Sequence, residues 1–319
     1  MTPGWPGSLQ RCVNSSARAQ VWRDSTGPRT PTFRCGKSWP SNRSPAADPP
    51  PAPHCPGRTV TTMPLLSIVT AALAPTIDHA DYLLEAYESL ALQEDLGPWE
   101  WEWLIQEDGE TPALRERLPD DPRIVYAAHG ALLGIATSRN LALERARGTL
   151  VRVLDSDDIL MPRGLAVPLE LLDQHPQAAW AAGECWRLLM PRRQIDRTPV
   201  STSVPAGLVR ENLLAELLLK SGEVEIHGAG LTIRTDVLRS VGGWMAVPYS
   251  ETIVPLVTVN ATHPGAYSPE PTFLYRRWPS QITQQDWLGR MKPLARSILW
   301  QRLHAINVAA PQHPDGTRP

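Results

Sequence analysis

The sequence predicts an α/β protein with a mainly parallel central sheet flanked by helices. From residue 63 onward, short apolar runs typical of buried strands alternate with segments whose apolar residues recur at helical spacing. Acidic or glycine-containing turns follow two of the predicted strands. Alternating strands and helices form parallel sheets, because each helix carries the chain back across the sheet to the start of the next strand.

The first predicted strand, residues 65–71, is a continuous apolar and β-branched run, as expected when helices cover both faces of a sheet. Further strands are predicted at 101–106, 123–127, 149–154 and 178–182. Helices are predicted at 81–92, 135–146 and 162–174, and an amphipathic stretch at 287–306. Gly148 just beyond the second helix and Pro162 at the start of the third occupy positions where these residue types are common.

The composition excludes several classes of protein. With 31 Lys and Arg against 33 Asp and Glu, the 319-residue chain has a net charge of -2 and lacks the basic character of nucleic-acid-coating proteins. No apolar run reaches the roughly 18–20 residues that a membrane helix needs. Cys185 is the single cysteine after residue 62, which favours a reducing, cytoplasmic location. We therefore expect neither a nucleic-acid partner nor a transmembrane segment.

Residues 1–62 differ in composition from the rest of the chain. They hold eleven of the 33 prolines, three of the four cysteines, eight basic residues and only two acidic ones. Because few large apolar side chains there can offset the entropy of ordering, we predict a disordered extension. Met63 stands immediately before the first strand and is a candidate true start. The predicted organisation is an extension over 1–62, one domain over 63–285, and a C-terminal helix and tail over 286–319.

Two acidic clusters follow strands of the predicted sheet. Glu107 and Asp108 come after the second strand, and Asp155, Asp157 and Asp158 come after the fourth. In parallel α/β sheets, ligands bind beyond the carboxyl ends of the strands. Closely spaced carboxylates repel one another, and Mg²⁺ or Mn²⁺ would offset that repulsion while taking further oxygen ligands from a bound phosphate. The alternative is a solvated turn in which Asp158 caps the next helix.

Four motifs occur in order between residues 65 and 158. They are the first strand, Q-E-D-G at 106–109, G-I-A-T-S-R-N at 134–140, and A-R-G at 146–148 leading into L-D-S-D-D at 154–158. The chain resembles bacterial family-2 glycosyltransferases of the GT-A fold, and is similar to a group of actinobacterial members. Weaker matches continue to residue 285 through H-G-A-G at 227–230, G-G-W at 242–244 and L-Y-R-R-W-P at 274–279.

The resemblance implies a Rossmann-like GT-A domain that binds a nucleotide-sugar donor. Asp108 would accept a hydrogen bond from the nucleobase, which favours uridine, and Thr70 would lie at the donor. Arg139 would lie near the nucleotide, its alternative being a salt bridge to the acidic cluster. Asp155 would contact the ribose or a metal-bound water, and Asp157 would ligate Mg²⁺ or Mn²⁺. Asp155 is the second candidate metal ligand.

The resemblance also implies a carboxylate that deprotonates the acceptor hydroxyl. Thr252 stands where the family generally has this Asp, and threonine cannot act as a general base near neutral pH. Glu251 is the adjacent candidate, although neighbouring side chains on a helix point about 100° apart. Its alternative role is a carboxylate in the first turn of a helix.

Four further residues are expected around the acceptor or in a lid. His227 could line the acceptor pocket or be structural, and Trp244 and Trp278 could stack on sugar faces. Arg276 is expected in a lid over the diphosphate together with Trp278, the alternative being an exposed loop charge.

The sequence thus predicts a metal-dependent glycosyltransferase that moves a sugar from a nucleotide-diphosphate donor, with UDP favoured, to an acceptor hydroxyl with inversion. The acceptor would be a glycan, a lipid or a small molecule. The alternative is a nucleotide-sugar-binding protein that has lost catalysis, which the threonine at 252 motivates. A nucleotidyltransferase is disfavoured because residues 70–76 contain neither glycine nor arginine.

Overall fold

A computed structural model of the protein describes residues 63–306, except 74–76, 202, 248–249, 280, 282 and 284. The predicted disordered extension over 1–62 and the tail after residue 306 lie outside the described residues. The described residues fall within one compact unit.

A ten-stranded sheet forms the centre of this unit. Its strands are β1 (Leu65–Ala72), β2 (Glu100–Glu107), β3 (Ile124–Ala128), β4 (Leu150–Val153), β5 (Ile159–Leu160), β6 (Trp180–Leu189), β7 (Gln194–Asp196), β8 (Gly207–Val209), β9 (Leu231–Arg234) and β10 (Gly265–Arg277). Their order is β3-β2-β1-β4-β9-β6-β10-β5, while β7 pairs with β6 and β8 with β10.

The longer strand pairings of the sheet are parallel, as predicted, whereas β9 at its centre and the short strands β5, β7 and β8 pair antiparallel. Strands β3, β2, β1 and β4 are mutually parallel, and β6 is parallel to β10. Strand β9 runs antiparallel to both β4 and β6 and joins the two groups. The strand predicted at 178–182 continues to Leu189, where its outer residues pair with β7 and β10.

Eight helices are described. They are α1 (Ile77–Ala91), α2 (Ile135–Arg145), α3 (Ala166–Gln174), α4 (Leu213–Ser221), α5 (Thr235–Ser240), α6 (Ile253–Asn260), α7 (Asp286–Gly289) and α8 (Lys292–Ala305). The helix predicted from residue 162 begins at Ala166, since residues 162–165 form a turn. The amphipathic stretch at 287–306 is confirmed as α7 and α8.

Alternating residues of β4 supply the apolar cores on the two faces of the sheet. Val151 and Val153 pack in a core with α2, α4, α6 and α8. Leu150 and the following Leu154 pack in the other core, with α1 and α3. This alternation is the consequence of the two-residue period of a strand.

The glycine of the A-R-G motif allows β1 to approach the start of β4. A Cβ atom on Gly148 would lie 2.5 Å from the carbonyl oxygen of Leu65 and 2.7 Å from the amide nitrogen of Ser67. The Ser67 hydroxyl accepts a hydrogen bond from the Gly148 amide at 2.8 Å. Any larger residue at 148 would therefore separate the two strands that carry the candidate site.

The carboxyl ends of β1, β2 and β4 meet at one edge of the sheet, next to the start of α2. The Asp108 amide donates to the Ala72 carbonyl, and the Leu154 amide donates to the Val69 carbonyl. These bonds hold the two acidic loops beside the end of β1. Within the described part of the chain, no helix is both long enough and apolar enough to cross a membrane.

Candidate active site

Arg139 on α2 connects the acidic loop after β4 with the segment before α6. Its guanidinium donates from Nη2 to Asp155 Oδ1 at 2.5 Å, and from Nη1 to Glu251 Oε1 at 2.8 Å. Nη1 also lies 2.6 Å from the hydroxyl of Thr252. Burial opposes the charge of Arg139, but the two carboxylates outweigh it and raise the pKa of the guanidinium. The salt bridge that was the alternative for Arg139 is therefore present, and it reaches two acids.

Asp157 differs from Asp155 because no described residue forms a salt bridge with it, although the charges of Arg276 and Arg139 act on it from a distance. Its side chain is half-buried, and the amide that donates a hydrogen bond to its carboxylate is its own. Burial, and then the neighbouring Asp155 carboxylate, raise the pKa of Asp157 to about 7. A charged Asp157 is thus disfavoured unless a cation approaches it.

Asp158 joins the acidic loop to β10. Its Oδ1 accepts a hydrogen bond from the amide of Arg276 at 3.0 Å, while Oδ2 is buried without a partner among the described residues. Burial, and then the two neighbouring aspartates, raise the pKa of Asp158 well above the ordinary range. The suggestion that Asp158 caps the next helix is wrong, because α3 begins only at Ala166.

Asp108 is bound by the loop that precedes α2. Its Oδ1 accepts from the Leu133 amide at 2.7 Å and from His129 Nε2 at 2.9 Å. Its Oδ2 accepts from the Gly134 amide at 2.9 Å. Three of the positions at which this carboxylate could accept a hydrogen bond are therefore taken by the protein.

His129 was not singled out in the sequence, although it directly follows β3 at the same edge of the sheet. The amide nitrogen of Gln106 donates to its Nδ1 at 3.0 Å, because Arg145 occupies the amide oxygen of Gln106. Nε2 must then carry the proton that His129 donates to Asp108. Its position directly after a predicted strand, at the same edge of the sheet as the acidic turn, could have identified His129 as a site residue.

Thr70 does not face a donor site. Its side chain is fully buried, its hydroxyl donates to the carbonyl of Leu154 at 2.6 Å, and Trp103 Nε1 donates to it at 2.8 Å. The prediction that Thr70 contacts the donor is corrected, since its hydroxyl joins β1, β2 and the end of β4 inside the core.

Glu251 and Thr252 both lie at the candidate site because they precede helix α6, which begins at Ile253. The 100° separation of helical neighbours therefore does not apply to them. The Thr252 hydroxyl donates to Glu251 Oε1 at 3.2 Å, and the Glu251 side chain is 21% exposed. The structure thus places a partly exposed carboxylate directly before Thr252.

His227 lies in the same region, whereas Trp244 does not. The His227 ring is 4.1 Å from the Tyr275 ring, and its Nδ1 is buried without a partner in the described chain. Burial lowers the pKa of His227, and the carboxylates of Asp155 and Glu251 oppose that shift. Trp244 is 2% exposed and packs in the core. The expectation that Trp244 stacks on a sugar is therefore corrected.

Arg276 lies in β10 and is fully buried, so it is neither a loop lid nor an exposed charge. It donates from Nη2 to Glu85 Oε2 at 2.7 Å and from Nε to the carbonyl of Asp157 at 2.6 Å. Its guanidinium also stacks over the ring of Tyr82, which in turn contacts the ring of Trp278. Arg276 and Trp278 therefore connect α1 with the acidic loop.

A divalent cation at the acidic loop would need ligands from outside the protein. Among the described residues, no three His, Cys, Asp or Glu side chains are grouped so that they could hold a metal ion. Mg²⁺ and Mn²⁺ commonly take one or two carboxylates and complete their coordination with water and phosphate oxygens. The Asp157 carboxylate, which forms no salt bridge with a described residue, fits such a cation, and the carboxylate of Asp155 raises its pKa from nearby.

Comparison with known proteins supports the resemblance to family-2 enzymes. Residues 72–185 match the family model described as glycosyl transferase family 2. The segment that runs from the end of β1 into β6, including both acidic loops, is therefore similar to family-2 glycosyltransferases. The motif-based resemblance is confirmed over this segment.

Two curated proteins share sequence with part of this chain. The putative teichuronic acid biosynthesis glycosyltransferase TuaG of Bacillus subtilis (strain 168) is 35% identical over 99 residues, which cover 30% of this chain and 36% of TuaG. The uncharacterized protein y4gI of Sinorhizobium fredii (strain NBRC 101917 / NGR234) is 32% identical over 120 residues, 36% of this chain and 12% of y4gI. The chain thus matches about a third of the length of TuaG and about an eighth of the length of y4gI.

The fold is similar to solved structures of Staphylococcus aureus TarS, residues 1–349. The complex of TarS with UDP superposes with a TM-score of 0.50 at 17% identity, covering 75% of this chain and 69% of TarS. The complex with UDP-GlcNAc gives 0.51 at 15% identity, covering 76% and 70%. This likeness confirms the predicted GT-A architecture, a single α/β domain with a central sheet flanked by helices.

Proposed function

We propose that this protein is a glycosyltransferase that moves a sugar from a nucleotide-diphosphate donor to an acceptor hydroxyl. One observation carries the proposal: the buried guanidinium of Arg139 binds the carboxylates of both Asp155 and Glu251 at the carboxyl end of the sheet. In a family-2 type segment with a GT-A fold, these two acids belong to the donor and acceptor halves. Both are partly exposed, so a ligand can reach them.

On the donor side, Asp157 and Asp155 would hold Mg²⁺ or Mn²⁺. Such a cation stabilises the negative charge of a departing diphosphate. UDP is the favoured nucleotide, which the binding of UDP and UDP-GlcNAc by TarS supports. Asp108 retains one of its acceptor positions on Oδ2, which suits a single N–H of uracil.

On the acceptor side, Glu251 would act as the general base. Its carboxylate takes the proton of the acceptor hydroxyl while that oxygen bonds to the anomeric carbon. The bond from the anomeric carbon to the diphosphate oxygen breaks, and the nucleoside diphosphate leaves with the electron pair. Attack opposite the leaving group inverts the anomeric centre. The acceptor is a glycan, a lipid or a small molecule, and the reaction takes place in the cytoplasm.

Thr252 favours a second candidate, a nucleotide-sugar-binding protein without turnover. Replacing the usual Asp with threonine removes a base from that position. The two candidates share the donor site and differ in whether Glu251 can serve in place of the missing carboxylate.

The test is the release of UDP from UDP-sugars by the full chain. We expect release that requires Mn²⁺ or Mg²⁺ and that falls by roughly 10²–10⁴ in Glu251→Gln, the usual range for removal of a general base. Binding of UDP without release, across a panel of UDP-sugars and candidate acceptors, would favour the non-catalytic candidate. A folded protein that binds no nucleotide diphosphate would overturn both.

A further inference from the structure

The hydroxyl of Thr252 makes two hydrogen bonds whose directions are fixed by chemistry. A guanidinium has no acceptor, so Arg139 Nη1 must donate to the Thr252 oxygen across 2.6 Å. The Thr252 proton is then directed to Glu251 Oε1, which lies 3.2 Å away. Threonine therefore connects the buried cation to the carboxylate.

Glu251 has its two oxygens in different environments. Oε1 accepts from both Arg139 and Thr252, whereas Oε2 accepts from no residue in the described parts of the chain. With Oε1 held by two donors, rotation of the carboxylate is restricted. The lone pairs of Oε2 are therefore presented in a fixed direction.

The side chain of Thr252 is itself held by backbone. A Cβ atom on Gly228 would lie 2.5 Å from both Cβ and Cγ2 of Thr252, so the glycine allows direct contact between the two residues. Thr252 is 6% exposed. A β-branched side chain packed in this way has one accessible rotamer, which keeps its hydroxyl between Arg139 and Glu251.

We infer that Thr252 is a positioning residue that, together with Arg139, makes the adjacent Glu251 the catalytic base. The inference rests on the proposed function. Threonine at 252 is then compatible with catalysis, because the general base is the preceding residue, Glu251. Glu251 Oε2 takes the acceptor proton, while Oε1 stays bound to Thr252 and Arg139.

Paired substitutions at position 252 test this role. Thr252→Val keeps the branched shape but loses the hydroxyl, and Thr252→Ser keeps the hydroxyl but loses the methyl group. We expect Thr252→Val to lower kcat roughly tenfold to hundredfold, the cost of a misplaced reacting group, with the donor KM and UDP affinity unchanged. Thr252→Ser should retain most of kcat. Equal losses in both variants, or none in Thr252→Val, would overturn the inference.

Thr252→Asp gives an independent readout. A second carboxylate next to Arg139 would compete with Glu251 for the guanidinium, so we expect kcat to fall. A large gain in kcat would overturn the inference and indicate that the natural protein is degenerate at this position.

Failure of this inference and failure of the proposed function are distinguishable. If the wild-type chain releases UDP and Glu251→Gln does not, while Thr252→Val equals the wild type, the function stands and the positioning role is refuted. If the folded wild-type chain neither binds UDP nor releases it, the proposed function itself fails, and the inference fails with it.

Discussion

The two acidic loops at the carboxyl end of the sheet differ in how far the protein satisfies their carboxylates. Asp108, after β2, accepts three hydrogen bonds from the loop before α2. Asp157, after β4, accepts a hydrogen bond only from its own amide among the described residues, and burial raises its pKa. Asp155 lies between these cases, because Arg139 binds one of its oxygens.

This difference separates residues that hold the site together from residues that are available to a ligand. The motifs mark Asp108, Asp155 and Asp157 alike, but among the described residues only the carboxylate of Asp157 receives no hydrogen bond from another residue. A buried carboxylate without a donor is costly, and a bound cation would remove that cost. We therefore expect substitutions of Asp108 and Asp157 to have opposite effects on stability.

The largest effect is expected from Arg139→Met, which would remove the salt bridges of both Asp155 and Glu251. Removing one partner of a buried ion pair costs about 3–5 kcal/mol, and partial exposure of the acids places this case near the lower end. Urea unfolding measures the loss. Arg139→Lys should recover only part of it, because an ammonium group cannot reproduce the planar fork. Full recovery in the lysine variant would show that charge alone suffices.

Asp108→Asn is expected to lower the free energy of unfolding by about 1–3 kcal/mol. An amide has a single acceptor oxygen, so it cannot replace both Oδ1, which accepts from Leu133 and His129, and Oδ2, which accepts from Gly134. Asp157→Asn serves as the matched control, since no other described residue donates a hydrogen bond to its carboxylate. If both variants were equally stable at neutral pH, the contrast between the two loops would be refuted.

Thr70→Val should cost about 1–2 kcal/mol, since it removes the acceptor for Trp103 Nε1 and the donor to the Leu154 carbonyl. Because Thr70 lies inside the core, UDP affinity should be unchanged once the folded fraction is taken into account. Thr70→Ser is the control that keeps both bonds. A selective loss of UDP affinity in Thr70→Val would restore Thr70 to the donor site.

The smallest effect is a pH-dependent one at Asp157. Its pKa is about 7 in the folded protein and near 3.8 in the unfolded chain, so the folded state binds the proton more tightly. The free energy of unfolding therefore falls as the pH rises from about 4 to 7. Because Asp157 is half-buried, solvent screens most of this charge effect and about 1 kcal/mol is expected to remain. Asp157→Asn should therefore raise the melting temperature at pH 8, by roughly 2–4 °C, and leave it unchanged near pH 4. A melting temperature unaffected at both pH values would contradict the buried charge.

Apolar periodicity was sufficient to locate the strands of the first half of the sheet. The runs at 65–71 and 101–106 are confirmed to within one residue at each end as β1 and β2. Strand β9 was not distinguishable as antiparallel, because strand direction depends on the path of the chain between β6 and β10. No local pattern encodes that path.

Motifs located the site but could not assign contacts within it. Arg139 was predicted at the nucleotide or in a salt bridge, and only tertiary structure shows that it also reaches Glu251, 112 residues away. Arg276 reads as an exposed lid residue in sequence, yet it is buried because Glu85 on α1 provides its counter-charge. Such pairings join distant elements and leave no periodic signal in the chain.

The most direct test of the account is a calorimetric titration of UDP into the full chain, with and without Mn²⁺, for the wild type and for Asp157→Asn. We predict UDP binding that is strengthened by Mn²⁺ in the wild type, and loss of the Mn²⁺ effect in the variant with its fold intact. Mn²⁺-dependent binding that is identical in the variant, or no binding of UDP, GDP or dTDP to the folded wild type, would contradict the assignment of Asp157 as the carboxylate available to a ligand.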